Sequence, residues 1–250
     1  MMIKSIPGLR SLALMLAVLL GTSTTLTSCD TLEQVLSTAT TTGVLSNGEI
    51  ALGLKDALKQ GAVNGADVVS VVNGYFGNEL IKLALPEEAE PVIKALQLIP
   101  GGQKLLDDAT LAINRAAEEA AKEAAPVFVD AITSMTIPDA LDILMGEQDA
   151  ATRYLDRTTS PKLTSKFTPI IDRALDNTNA TKYWKDVMDR YNKIPFVQSV
   201  NPDLSEYVTE KALDGLFVMV AQEEKKIRGN ISARTTPTMK KVFAYYDQNK

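Results

Sequence analysis

An all-α fold is what this 250-residue chain predicts, on three observations. Helix start and stop signals recur along the chain after residue 45. Apolar residues fall at three- and four-residue spacing between those signals, and no segment keeps the two-residue alternation of a strand for long. The expectation is a single helical bundle of about nine or ten helices, with room for one short hairpin near 74–85.

The first 28 residues stand apart. Lys4 and Arg10 make a cationic start, Leu12 to Leu20 an apolar run, and Leu26-Thr27-Ser28 a small and polar approach to Cys29. That order is the order of an export signal. A run of about ten apolar residues is too short for a spanning helix, which needs roughly twenty. The reading is therefore a lipoprotein signal peptide over 1–28, cut before Cys29, whose thiol is the only one in the chain and would carry the lipid. Several acyl chains on one residue anchor a protein stably where one chain does not. Residues 29–45, rich in threonine and serine, read as a tether, and 46–250 as the helical domain. The domain would sit outside the cytoplasm, held to the inner or outer membrane of a bacterial envelope.

Ser46-Asn47-Gly48-Glu49 has the pattern of a capping box, and the helix it opens should run to about Asn64. Gly53, Ala57, Gly61 and Gly65 leave one face of that helix nearly bare. Each interior glycine costs roughly 1 kcal/mol against alanine, which implies close packing against another backbone. Lys55, Asp56, Lys59 and Gln60 exclude a bilayer span here. Asn73-Gly74-Tyr75-Phe76-Gly77-Asn78 is turn-rich, and Ile81 to Leu85 alternates weakly, hence the hairpin. Pro86 with Glu87 and Glu88 suits a helix start, the helix ending near Leu98 before Pro100-Gly101-Gly102. Gly102-Gln103-Lys104 lacks the spacing of a phosphate loop and reads as a turn.

Gln103 to Ala125 is the strongest helix pattern, striped with Ala112, Ala116, Ala117, Ala120, Ala121 and Ala124, and Pro126 should kink or restart it before Val127 to Met135. Ile137-Pro138-Asp139 opens a short helix that Gly146 closes, Asp149 opens another, and Pro161 begins the next. Asn179 is placed to cap the segment of Trp184, and Asn201-Pro202-Asp203 to open a helix through about Arg228 with Leu213, Leu216, Phe217 and Val220 inward. Thr236-Pro237 starts the last helix, burying Val242, Phe243 and Tyr246.

Composition removes much chemistry. The chain has no histidine, and with Cys29 committed to lipid the domain has no disulfide, no Cys/His zinc site and no imidazole base. No cofactor is expected. Taking the two leader cations from 26 leaves 24 basic residues against 31 acidic ones, a net charge of −7, which repels nucleic acid. Ala221 to Lys250 is locally basic, with seven cations and three acids, and should dock on the chain's own acidic body or, as the alternative, on an anionic partner.

Several ordered motifs carry a resemblance. They are Gly53-Leu54-Lys55-Asp56-Ala57-Leu58, Asn114-Arg115-Ala116-Ala117-Glu118, Asp139-Ala140 with Ile143-Leu144-Met145-Gly146, and Ala150-Ala151-Thr152-Arg153-Tyr154. Leu213-Asp214-Gly215-Leu216-Phe217, Glu223 to Arg228 and Arg234-Thr235-Thr236 follow. Over about residues 50–243 the chain resembles the bacterial envelope family known as domain of unknown function 4197. The resemblance implies an exported helical domain and supplies no reaction, substrate or catalytic residue.

The polar members of those motifs form the candidate cluster: Asn114, Arg115, Glu118, Arg153, Glu223, Glu224, Arg228 and Arg234. Arginine and carboxylate four apart on a helix usually form a solvated pair worth a few tenths of a kcal/mol. The alternative is convergence of these side chains between helices, to set helix register or bind an anion. An enzyme would use Glu118 with Glu223 or Glu224 as an acid/base pair on envelope glycans. Asp176-Asn177-Thr178-Asn179 begins like a calcium loop but lacks glycine at Thr181 and glutamate at Val187, so it reads as a turn and cap, and no metal is assigned. Two function classes result. One is a non-catalytic binding or scaffold lipoprotein with an envelope protein as partner, the membrane being met through its lipid. The other is an envelope hydrolase or small anionic-ligand binder using the Arg/Glu cluster.

Overall fold

The computed structural model describes residues 45–249 except 179, 194, 197, 198, 200 and 202, and only the backbone at 180, 183, 187 and 190. The leader with its Leu26-Thr27-Ser28-Cys29 site, the tether, the Asn179 cap and Pro202 lie outside the described residues. Among the described residues nine α-helices and two short 3-10 turns follow one another, with no strand. They are α1 (Asn47–Ser70), α2 (Glu90–Gln97), α3 (Gly102–Ala121), α4 (Ala124–Ser134), α5 (Ile137–Met145), α6 (Ala150–Asp176), α7 (Ala180–Tyr191), α8 (Leu204–Gly229) and α9 (Pro237–Asn249). The 3-10 turns are Glu87–Ala89 and Ile231–Ala233. The expected all-α bundle is the observed architecture.

The capping box at Ser46 is complete. The Glu49 N–H donates to the Ser46 hydroxyl at 3.2 Å and the Ser46 N–H donates to the Glu49 carboxylate at 3.0 Å. From there α1 runs six residues past the expected end, because Gly65 does not stop it. Instead α1 is the axis of the bundle, packed on α8, α4, α9, α5 and α3. Its glycine face is the reason it fits. A Cβ on Gly53 would fall 2.5 Å from Val242 Cγ2 and 2.9 Å from the Thr238 carbonyl oxygen of α9. One on Gly65 would fall 3.1 Å from the Val220 backbone nitrogen of α8.

Two proline expectations need correction. Pro126 does not break the alanine-rich helix. The break comes at Lys122–Glu123, and Pro126 sits in the first turn of α4, where a missing N–H costs nothing. Pro161 begins no new helix: α6 continues for 27 residues with Pro161 and Pro169 inside it. Both prolines are on the exposed face. The opposite face buries Leu155, Leu163, Phe167, Ile171 and Leu175 almost completely. Full burial of such side chains stabilises by about 1.5–3 kcal/mol each, which outweighs two prolines at about 3 kcal/mol each.

The hairpin near 74–85 is also absent. Residues 71–81 form successive turns closed by local backbone hydrogen bonds and 82–86 follow as irregular chain; the N–H groups of Tyr75, Phe76 and Leu83 find their partners in side chains of α3 rather than in a second strand. Asn73 adopts a left-handed φ of 68°, which asparagine tolerates better than most residues. At the basic C-terminus, Lys241 reaches Glu49 of α1 at 3.2 Å, so one of its cations does pair with the acidic body.

Candidate functional site

The eight polar residues singled out from the sequence fall into separate groups. On α3, Asn114 is fully buried and acts as a surrogate strand. Its Oδ1 accepts the Leu83 N–H at 2.9 Å, and its Nδ2 donates to the Leu83 carbonyl at 2.8 Å. Four residues on, Glu118 Oε1 accepts the N–H groups of Tyr75 and Phe76 at 3.2 and 3.1 Å, while Oε2 accepts from Arg115 at 2.5 Å. Arg115 in turn donates to Asn73 Oδ1 at 2.8 Å. The Tyr75 hydroxyl donates to the Ala212 carbonyl of α8 at 2.6 Å. Burial, with the nearby Glu118 charge, pushes the Tyr75 phenol well above its usual range. This set holds the 71–86 segment against α3 and α8.

Glu224 and Arg228 lie one turn apart on α8, both buried. Glu224 accepts the Ala151 N–H at 3.0 Å, and the Thr152 N–H and hydroxyl at 2.8 Å each. Asp149, at the helix-start position of α6, makes no side-chain cap, so a carboxylate from another helix caps α6 and meets the positive end of its dipole. Arg228 donates to Glu224 at 2.9 Å and to the last carbonyls of α5, Leu144 at 3.0 Å and Ile143 at 2.8 Å. One i,i+4 pair thus closes the end of α5 and the start of α6. The cavity beside it, lined by Leu54, Gly61, Leu155 and Phe243 among others, measures about 20 Å³, room for a single water.

Arg234 is a third group. It donates to the Ile227 and Arg228 carbonyls at the end of α8, forks onto Asp247 of α9 at 2.7 and 3.3 Å, and stacks on Phe243. Glu223 accepts from Asn64 of α1 at 3.2 Å and from Lys226 at 3.0 Å. Arg153 is exposed and pairs with Asp149. The structure brings together Asn114, Arg115 and Glu118 on one side, and Glu224 with Arg228 on another. Both oxygens of Glu118 and of Glu224 are engaged by backbone N–H groups and arginine. Asn177 ends α6, and the Thr178 hydroxyl donates back to the Leu175 carbonyl at 2.7 Å, as expected of a turn.

Open concavities lie elsewhere: one of about 1030 Å³ runs along α6 and α8 with Asp156, Glu206, Glu210 and Asp214 in its wall, and a second, apolar one is the site that the sequence reading missed. A concavity of about 750 Å³ lies between α2, α3, α7 and the start of α8. Its walls include Val92, Ile93 and Leu96 from α2, Leu105 and Ala109 from α3, and Trp184 from α7. Of fourteen lining residues only Asp108 and Thr178 have polar tips besides the indole N–H. Asp108 pairs with Lys104 at 2.6 Å, and the Trp184 Nε1–H donates to the Asn201 carbonyl at 3.2 Å. No residue of α2 is buried. Ala89 and Met188 instead form a small apolar cluster apart from the main core. The amphipathic spacing of Val92, Ile93 and Leu96 was the available signal. That their face lacks a covering helix is a matter of distance, which spacing does not record.

A family model described as "Protein of unknown function (DUF4197)" matches residues 44–244, from the start of α1 into α9. The chain belongs to this family. The DUF4197 match thus includes the buried polar groups and the concavity, and its start falls just ahead of the Ser46 cap. No curated protein and no solved structure matches the chain. Among the described residues no helix is long and apolar enough to cross a membrane.

Proposed function

We propose that this DUF4197 protein is a lipid-anchored component of the bacterial cell envelope, acylated at Cys29, whose helical domain is a non-catalytic binding module. The observation that carries the binding half is the apolar concavity of about 750 Å³ between α2, α3 and α7. Its size lies inside the roughly 300–1,000 Å³ of ordinary ligand sites, and its wall is apolar as theirs are. The carboxylates best placed for acid/base work, Glu118 and Glu224, have both oxygens committed to N–H donors and arginine. The space beside Glu224 admits no substrate. The anchoring half rests on Leu26-Thr27-Ser28-Cys29 after an apolar run too short to span.

One experiment tests both halves. Cells fed an alkyne-bearing fatty acid carry either the wild-type chain or Cys29→Ala, each with a photo-crosslinking residue at the exposed Leu105 or, as a control, at the exposed Lys240 on α9. Label on the wild type that is lost in Cys29→Ala, with an adduct formed from position 105 and not from 240, is the expected result. A chain that takes no label overturns the anchor. A labelled chain with equal adducts at both positions overturns the binding site.

A further inference from the structure

We infer that the concavity between α2, α3 and α7 is a site for a single long hydrocarbon chain, the alkyl or acyl tail of an amphiphile whose head group stays at the mouth in water. This inference rests on the binding-module reading and names its ligand class.

The wall dictates the class. Val92, Ile93, Leu96, Leu105, Ala109 and Trp184 present only hydrocarbon and an aromatic face to the space. Water against these walls finds few polar partners, so its displacement by hydrocarbon is favourable. The Thr178 hydroxyl and the Trp184 indole N–H already donate to protein carbonyls, and Asp108 is paired with Lys104. A head group is a poor occupant, because no polar side chain is held inside to receive it. With Asp108 neutralised by Lys104, the wall offers no net charge to steer a charged peptide.

Size separates a tail from a protein partner. A stable protein interface takes about 20–30 residues and roughly 800 Å² from each side, and this site has fourteen residues in its wall. A second copy of the chain, or a docked helix, would need a surface extending well beyond it. The concavity is instead the size of a small-ligand site. The walls are also built to adjust: α2 is eight residues long, has no buried residue and packs mainly on α3 and its own 3-10 turn. Met188 supplies a flexible thioether on the α7 side.

Trp184 is the only tryptophan in the chain and lines the space, so it reports occupancy directly. The test uses the mature chain, residues 29–250, with Cys29→Ser so that no attached acyl chain competes. Trp184 fluorescence is titrated with dibrominated stearic acid below its critical micelle concentration. Saturated fatty acids of ten to sixteen carbons then compete with it. Saturable quenching is expected. Competitor affinity should rise about fourfold per added methylene, the value of burying one CH₂, up to the length that fills the site. Ala109→Phe and Ala112→Phe, which project new rings into the space, should each weaken quenching at least tenfold with helicity unchanged by circular dichroism. Should either variant lose helicity, the chain-length series on the wild type decides alone. Quenching that is absent, that rises linearly without saturation, or that ignores chain length overturns the inference. If that happens while position 105 still forms its specific adduct in cells, the hydrocarbon ligand falls and the binding module stands.

Discussion

Around α1, helices meet at backbone distance and buried polar atoms are all partnered, whereas between α2 and α7 apolar side chains face a gap of about 750 Å³. Both regions use the same ingredients, alanine, leucine and amphipathic helices. The difference lies in burial and in three joints of the bundle: Glu224 of α8 finishes the start of α6, Arg228 of α8 the end of α5, and Arg234, in the segment after α8, the end of α8. The helix α2 starts without a side-chain cap, as α3 and α4 do, but of these three it alone buries no residue. Rigid closure is concentrated where nothing enters, and the loosely fixed pair of helices borders the open site. That division suits a binding module, in which the bundle holds the frame and α2 with α7 adapts.

Breaking the frame at its most connected point should give the largest effect. Glu224→Ala removes the α6 cap and leaves Arg228 buried without its partner, which costs about 3–5 kcal/mol. Urea unfolding of the full chain measures it. Adding Arg228→Leu should return part of that loss, because the stranded charge goes with it. Equal losses in the single and double variants would mean that capping, and not the pair, dominates.

Backbone contact comes next. Gly53→Ala places a methyl 2.5 Å from Val242 Cγ2, beside a carbonyl that cannot move away, and should cost about 1–3 kcal/mol. The same change at Gly48, where nothing lies within 4 Å of the new Cβ, should stabilise by roughly 0.4–1 kcal/mol. Opposite signs for one substitution in one helix would confirm that the glycine face exists for contact with α8 and α9.

How much of this could be read in advance follows physical range. The Ser46 box, the Thr136–Asp139 box and the Gly146 stop lie within a few residues of what they act on, and the first and last were legible. The glycine repeat of α1 implied a close partner without naming it. The continuity of α6 through Pro161 and Pro169 was hidden, because it depends on a buried face supplied by α3 and α8. Seven of the eight polar residues lie on helices, as their spacing implied, and Arg234 lies in the segment between α8 and α9. Their partners, the segment 73–83 for α3 and the α5–α6 junction for Glu224 and Arg228, lie roughly thirty to eighty-five residues away. No periodicity encodes such pairings.

The polar side of the 71–86 segment gives a smaller effect. Tyr75→Phe removes the donor to the Ala212 carbonyl and should cost about 0.5–1.5 kcal/mol. The raised Tyr75 phenol favours the neutral form in the folded chain. Its contribution is therefore complete below the ordinary tyrosine range, and wild-type stability should fall as pH rises through that range. Tyr75→Phe should flatten this alkaline limb. Across the divide, Ile93→Ala in α2 should cost below about 1 kcal/mol, since a side chain that is only half buried loses little on truncation. A cost as large as that of a core residue would mean that the α2 wall is part of the frame after all.

The smallest effect concerns acid. Hydrogen bonds from the Ser46 backbone and hydroxyl, aided by Lys241, hold the Glu49 carboxyl below its ordinary value, and Thr136 does the same for Asp139. A carboxyl lowered in the folded state adds stability that is complete above the ordinary carboxylate range and is lost as pH falls through the folded value. Both residues start bundle helices, α1 and α5, and both are only half-buried, so solvent still screens part of the gain. The expected outcome is a slight fall in the urea midpoint as pH drops through the carboxylate range, smaller in a Glu49→Gln, Asp139→Asn chain. Trp184 fluorescence should hold steady over that interval, because the site between α2 and α7 has no box to lose. A Trp184 change that tracks the acid limb would instead tie the open site to the frame, and would end the division between the two regions.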